Sequence, residues 1–131
     1  MSGRLVGPLG MELVHEDSGV VVRTMPPKDN GGDGSTFSPT DLAAVSLGTC
    51  ASTTMALYAR RHDIPLDGIS FDLEKIMNPA PRRLGKLVVR YRIASSCSDE
   101  DFQKLVHIGK TCPVRLSLGP DVEVDETYER E

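Results

Sequence analysis

The sequence predicts an α+β protein in which strand pairs and helices alternate and the sheet is antiparallel. Three observations predict it. Short stretches alternate apolar and polar residues on either side of turn-forming residues, as half-buried strands do. A long run from Leu42 to Leu57 carries no charge and reads as one helix. A second, amphipathic helical segment follows Ser98.

Residues 11–25, MELVHEDSGVVVRTM, form two expected strands joined at Asp17-Ser18-Gly19, with Val20, Val21 and Val22 supplying β-branched residues. Pro26-Pro27 and the polar run DNGGDGST then read as a loop, either a flexible linker or the border of a pocket. Ser38 is a good N-cap, Pro39 suits the first helical position, and Asp41 stands where a capping box wants an acid. The helix should reach about His62, where Asp63-Ile64-Pro65 ends it. An uncharged helix is expected to be covered on every side, and Gly48 to admit close approach by another element.

Leu66–Lys75 alternates, with Ile69, Phe71 and Leu73 on one face; Lys86–Ala94 alternates with Leu87, Val89, Tyr91 and Ile93. NPAPRRLG lies between them, so the two should pair as a hairpin with a longer connection. Ser98 caps the next helix, whose first turn holds Asp99, Glu100 and Asp101 and whose apolar stripe includes Phe102, Leu105 and Val106. CPVRLSL reads as a short further helix and DVEVDETY as a last strand, in which Val122, Val124 and Glu126 share a face.

The 131 residues suggest a single domain over 1–131. An apolar content of 39% with no Trp points to a modest aliphatic core, which oligomerisation would help to complete. The net charge of −4 argues against nucleic acid or an anionic membrane as partner. No signal-like h-region opens the chain, and no run approaches the roughly 18 continuous apolar residues of a membrane span, so a cytoplasmic location is expected. There a disulfide would be catalytic or regulatory. No CxxC or CxxH spacing suggests a metal, and DNGGDG lacks the context of a phosphate loop, so neither metal nor cofactor is expected.

Three cysteines remain. Cys50 lies well inside the long helix, where a thiol is either a small buried hydrophobe or a nucleophile activated from elsewhere in the fold. Cys112 precedes Pro113 and would cap the short helix, either as a packing residue at a kink or as a sulfur facing unsatisfied N–H groups. Cys97, among serines, is expected to be partly exposed and without a catalytic role.

The segment SPTDLAAVSLGTCAST resembles the OsmC/Ohr family of hydroperoxide-resistance proteins through Pro39, Leu42, Ala43, Ala44 and Cys50. CPVRLSL is similar to that family's Cys-Pro-Val motif through Cys112, Pro113 and Val114, and the order of elements agrees from about Leu13 to Tyr128. The resemblance implies an OsmC-like fold: antiparallel sheets packed on a long buried central helix, in a swapped, intertwined homodimer. It implies reduction of organic hydroperoxides, with Cys50 attacking the peroxide, Cys112 closing a disulfide and an external dithiol restoring both. Asp41 would take a supporting role near an activating Arg. Where one branch places Glu directly after the helix-opening Pro, this chain has Thr40, then Asp41. Arg4 and Arg23 are the candidates for the family's N-terminal Arg. The alternative is a non-catalytic or regulatory thiol domain binding a small apolar ligand at the dimer interface.

Overall fold

The computed structural model describes residues 1–131, which fall into two compact units, Met1–Ala43 and Ala44–Glu131. The first contains a three-stranded antiparallel sheet of β1 (Ser2–Val6), β2 (Gly10–His15) and β3 (Val20–Thr24), with β2 central. The β2–β3 turn is the expected one, with Gly19 at φ 70° and its N–H on the carbonyl of His15 at 2.8 Å. β1 was not expected. All five of its residues are exposed, so it has no burial alternation for a sequence pattern to reveal. A single turn of 3₁₀ helix, Lys28–Asn30, interrupts the polar loop that follows.

Helix α1 (Pro39–Arg61) begins in the first unit and continues into the second. Its start is a capping box. Ser38 donates its N–H and its hydroxyl to the Asp41 carboxylate, each at 2.7 Å, while the Asp41 N–H donates to Ser38 Oγ at 3.1 Å. Ala44, Leu47, Gly48, Ala51, Met55 and Ala59 are buried, at helical spacing along one stripe. Full burial of Leu47 and Met55 stabilises the unit by roughly 1.5–3 kcal/mol each. Burial on every side is not what this chain supplies, since Thr49, Thr53, Ala56 and Leu57 remain exposed. The helix is also long and apolar enough to span a bilayer by length and composition, which corrects the expectation that no segment is. What it does here is seat one face on the core.

The second unit's sheet has the order β4–β5–β6, from β4 (Gly68–Pro79), β5 (Arg82–Ala94) and β6 (Glu123–Arg130). β4 and β5 are antiparallel and extend almost to their turn, leaving only Ala80-Pro81 between them. The connection is therefore short rather than long, because Asn78 and Pro79 pair with Arg83 and Arg82 instead of looping. β6 joins β5 in parallel, which corrects the expectation of a wholly antiparallel sheet. The physical reason is the crossover through α2 (Asp99–Lys110) and α3 (Pro113–Ser117), which carries the chain back to the end where β5 began. α2 is capped by Ser98, whose Oγ accepts the Asp101 N–H at 3.1 Å, and it buries Phe102, Leu105 and Gly109. Leu87, Val89, Tyr91 and Ile93 of β5 are fully buried and form the floor of the core against α1 and α2. Gly48 serves as expected: a Cβ there would fall within the ring of Phe71 on β4.

Candidate functional site: a cysteine pair beside a buried carboxylate

Two local structures bring Cys50 and Cys112 together. Cys50 is on α1 beside the fully buried Ala51, and it is partly buried against the core. The chain leaves α2 at Thr111 and re-enters helix at Pro113, so Cys112 takes the cap position with extended backbone (φ −64°, ψ 151°). Its Sγ accepts the Arg115 N–H at 3.4 Å, the role a Ser or Asp oxygen usually has at a helix start. Cys112 is 0% exposed, and both thiols are free. Burial pushes the Cys112 thiol above its ordinary value of 9.0; the Arg115 N–H opposes that rise, and the side-chain hydrogen bond with Cys50 adds to it, as does the Glu126 charge.

Glu126 breaks the pattern of its strand. It shares the core-facing side of β6 with Val124 and Tyr128, a position that favours an apolar side chain, and its side chain is only 6% exposed. A carboxylate there requires partners. Arg115 Nε supplies one at 3.3 Å, and the Tyr128 hydroxyl donates to the other oxygen at 3.3 Å. Arg115 is thus fixed at both ends, main chain to Cys112 and side chain to Glu126. The alternation of DVEVDETY had already placed Glu126 on the inward face; the misplaced charge was the signal to follow.

Register explains the rest of the cluster. Phe71, Tyr91 and Tyr128 are directly opposite one another across the three strands. Tyr91 and Tyr128 stack with ring centres 4.6 Å apart, and Phe71 meets Tyr91 at 6.0 Å. Tyr91 is 0% exposed and its hydroxyl has no partner within the protein. Burial first, then the Glu126 charge and the two cysteine sulfurs, raise the Tyr91 hydroxyl well above the usual tyrosine range.

Asp41, the supporting residue expected from the sequence, is at the start of α1 in the capping box, roughly 13 Å along the helix axis from Cys50. Arg4 and Arg23 occupy the first unit's sheet, opposite Glu12 in a row across β1, β2 and β3. Arg4 donates to Glu12 Oε1 at 3.0 and 2.6 Å, and Arg23 to Oε2 at 3.2 and 3.0 Å. Those bonds, Arg4's first, hold the Glu12 carboxyl below its ordinary value. The Arg that bonds beside the cysteine pair within the second unit is Arg115, which the sequence reading passed over. Cys97 is buried at 7% exposure, not partly exposed as expected: its N–H donates to Ser95 Oγ at 3.2 Å, folding the segment onto the core. No group of three or more His, Cys, Asp and Glu side chains is assembled as a metal site.

A family model described as OsmC-like protein matches residues 32–127. Among solved structures, the chain is 30% identical to a protein from Psychrobacter arcticus 273-4 named for an osmotic stress induced and detoxification response. The match covers 98% of this chain and 93% of that one, with a TM-score of 0.91. An organic hydroperoxide resistance protein OsmC from Legionella pneumophila shares the fold at 19% identity, with a TM-score of 0.73 over 98% and 95% of the two chains. One from Elizabethkingia anophelis does so at 16% identity, with a TM-score of 0.74 over 99% and 95%. No curated protein matches the sequence.

Proposed function

Because this chain belongs to the OsmC-like family, some of whose structural neighbours are named for organic hydroperoxide resistance, we propose that it is a thiol-dependent peroxidase acting on organic hydroperoxides. One observation carries the reading: a partly exposed Cys50 packed against the core cluster that contains a fully buried Cys112. The exposed member can meet a peroxide, and the hidden one can react only with its neighbour.

In that scheme the Cys50 sulfur attacks the peroxide O–O bond. The sulfur gains an oxygen and loses two electrons, the alcohol departs, and the thiol proton goes to the alkoxide. Cys112 then attacks the sulfenic sulfur. An S–S bond forms, and the S–O bond breaks to release water carrying the Cys112 proton. An external dithiol reduces the disulfide and becomes one itself. Arg115 and Glu126 hold α3 so that Cys112 faces Cys50; Asp41 fixes the start of the helix that carries Cys50.

The same reading takes the protein as a homodimer. The first unit's sheet exposes Leu5, Val20 and Val22 on one face, a patch that favours a covering partner, and the exposed side of α1 offers small residues for close contact. Light scattering at micromolar concentration should give twice the chain mass.

The test of activity is peroxide consumed per subunit with excess dithiol. Cys50→Ser should abolish consumption. Cys112→Ser should permit one oxidation and then stall, which intact mass would show as an added oxygen on Cys50. Full turnover by Cys50→Ser would refute the assignment.

A further inference from the structure

Glu126 sits between Val124 and Tyr128 on the core-facing side of β6, with its side chain 6% exposed. An apolar residue would suit that position better, since replacing a buried ion pair by apolar residues is often neutral or stabilising. What the carboxylate adds is direction. Its two oxygens take Arg115 Nε and the Tyr128 hydroxyl, each at 3.3 Å. Tyr128 is in turn held by its stack on the fully buried Tyr91 of β5, with ring centres 4.6 Å apart. The sheet therefore orients the carboxylate, and the carboxylate orients Arg115.

The joint that carries Cys112 needs such an anchor. Only Thr111 and Cys112 separate α2 from α3, and α3 is five residues long with no buried residue. Of its apolar side chains, Val114 packs against the core cluster, while Leu116 is 72% exposed. A helix that short does not hold itself in place. Both sides of the joint are tied to β6. Lys110, the last residue of α2, places its Nζ over the Tyr128 ring, 5.6 Å from the centre, and a Cβ on Gly109 would come within 3.2 Å of the same ring. On the other side, Arg115 reaches Glu126 with its guanidinium while its main-chain N–H donates to the Cys112 sulfur at 3.4 Å. The donor to that sulfur is thus itself placed by Glu126.

We propose that Glu126 is a positioning residue for disulfide closure: through Arg115 it holds the Cys112 sulfur in the attitude from which that thiol reacts with Cys50. The proposal rests on the cysteine assignment above and concerns the resolving step alone. In that step the Cys112 sulfur attacks the Cys50 sulfur, an S–S bond forms, and the group carried by Cys50 leaves with the electron pair of its own bond to sulfur. Such a step depends on alignment, and a misplacement of about 1 Å can slow a reaction about a hundredfold. Position and charge act here in opposite senses. The Glu126 charge helps to raise the Cys112 thiol, so removing the charge alone favours the thiolate and quickens closure, whereas losing the tether slows it.

The experiment uses a nitrobenzoate disulfide, whose released thiolate is coloured, on a Cys97→Ser parent chain and needs no peroxide. Cys50 attacks the reagent, forms a mixed disulfide and releases a first coloured thiolate; Cys112 then attacks the Cys50 sulfur, closes the disulfide and releases a second. The two cysteines lose two electrons, which the reagent's disulfide takes up, and their protons pass to water. With Arg115→Leu/Glu126→Leu the first release should keep the parent's rate, and the second should be about ten- to a hundredfold slower. Glu126→Gln keeps an acceptor for Arg115 and a partner for Tyr128, so it should close at the parent's rate or faster. Arg115→Met/Glu126→Gln breaks the tether without leaving a buried charge; it should also close slowly, and it replaces the double leucine variant if that one does not melt cooperatively. An unchanged second release would overturn the proposal, as would a first release slowed as much as the second, or Glu126→Gln closing as slowly as the untethered variants. Loss of cooperative melting in both untethered variants would overturn it too, since the tether would then be holding the fold. A parent chain with no second release would overturn it together with the pairing of the cysteines. A second release without peroxide consumption would sink the peroxidase reading and leave the positioning role standing.

Discussion

The main-chain N–H of Arg115 donates to the Cys112 sulfur at 3.4 Å, while the same residue's guanidinium is held by Glu126 at 3.3 Å. One residue therefore links the hidden thiol to a carboxylate on the neighbouring strand. The link makes Cys112 sensitive to a charge it does not touch.

Replacing that charge should show it. Glu126→Gln keeps the shape and removes the negative charge that helps to raise the Cys112 thiol. Cys112 should then ionise at lower pH, and the ultraviolet absorbance of its thiolate, followed in a Cys50→Ser/Cys97→Ser background, should appear earlier in a pH series. The stability cost should be about 1–3 kcal/mol, from weakening a hydrogen bond to a charged group; Arg115, one-third exposed, can turn to water. An unchanged thiolate absorbance profile would show that Glu126 acts only as packing.

Alkali should weaken the fold. Cys112, Tyr91 and Tyr128 are all raised, chiefly by burial, from ordinary values of 9.0, 10.0 and 10.0. Below the ordinary thiol value all three hold their protons in both states, and their contribution is fully present. As pH rises past it, the unfolded chain releases protons that the folded protein retains, so stability falls. Melting temperature measured from pH 7 upward should be flat at first, then decline, starting near pH 9. Tyr128→Phe should make the decline shallower.

Gly48→Ala should destabilise. Alanine favours a helix over glycine by about 1 kcal/mol, but the added methyl would meet the Phe71 ring. Overpacking of a core contact costs typically 1–3 kcal/mol, so the net effect should be a loss. Denaturant unfolding decides it, and a more stable variant would show that β4 can retreat from α1.

Cys97→Ser should lower stability by about 1–3 kcal/mol by burying a hydroxyl in the core cluster, with peroxide consumption per folded molecule retained. Loss of turnover at full stability would give Cys97 a role that its position does not suggest.

Helix starts were legible because each rests on local chemistry, whereas the pairing of Cys50 with Cys112 came only with the family resemblance. Ser38 and Asp41 form the box their spacing predicts, and Cys112 caps α3 as the following Pro113 suggests. What escaped depends on pairing across distance. β1 exposes every residue, so no periodicity marks it. The parallel docking of β6 follows from the crossover path and not from its own alternation. Arg115 gained its importance from a Glu on another element, a relationship invisible until the strand register is known.

The two cysteines belong to distant parts of the chain, one in α1 and one before α3, with β4, β5 and α2 between them. A covalent bond between their sulfurs would therefore close a loop of about sixty residues around most of the second unit. Such a closure restricts the denatured chain and raises resistance to unfolding by about 4 kcal/mol on the chain-entropy account. Oxidation would then tighten the molecule and reduction loosen it, so that proteolysis or a melting curve reports the electron balance of the surroundings without any substrate being added.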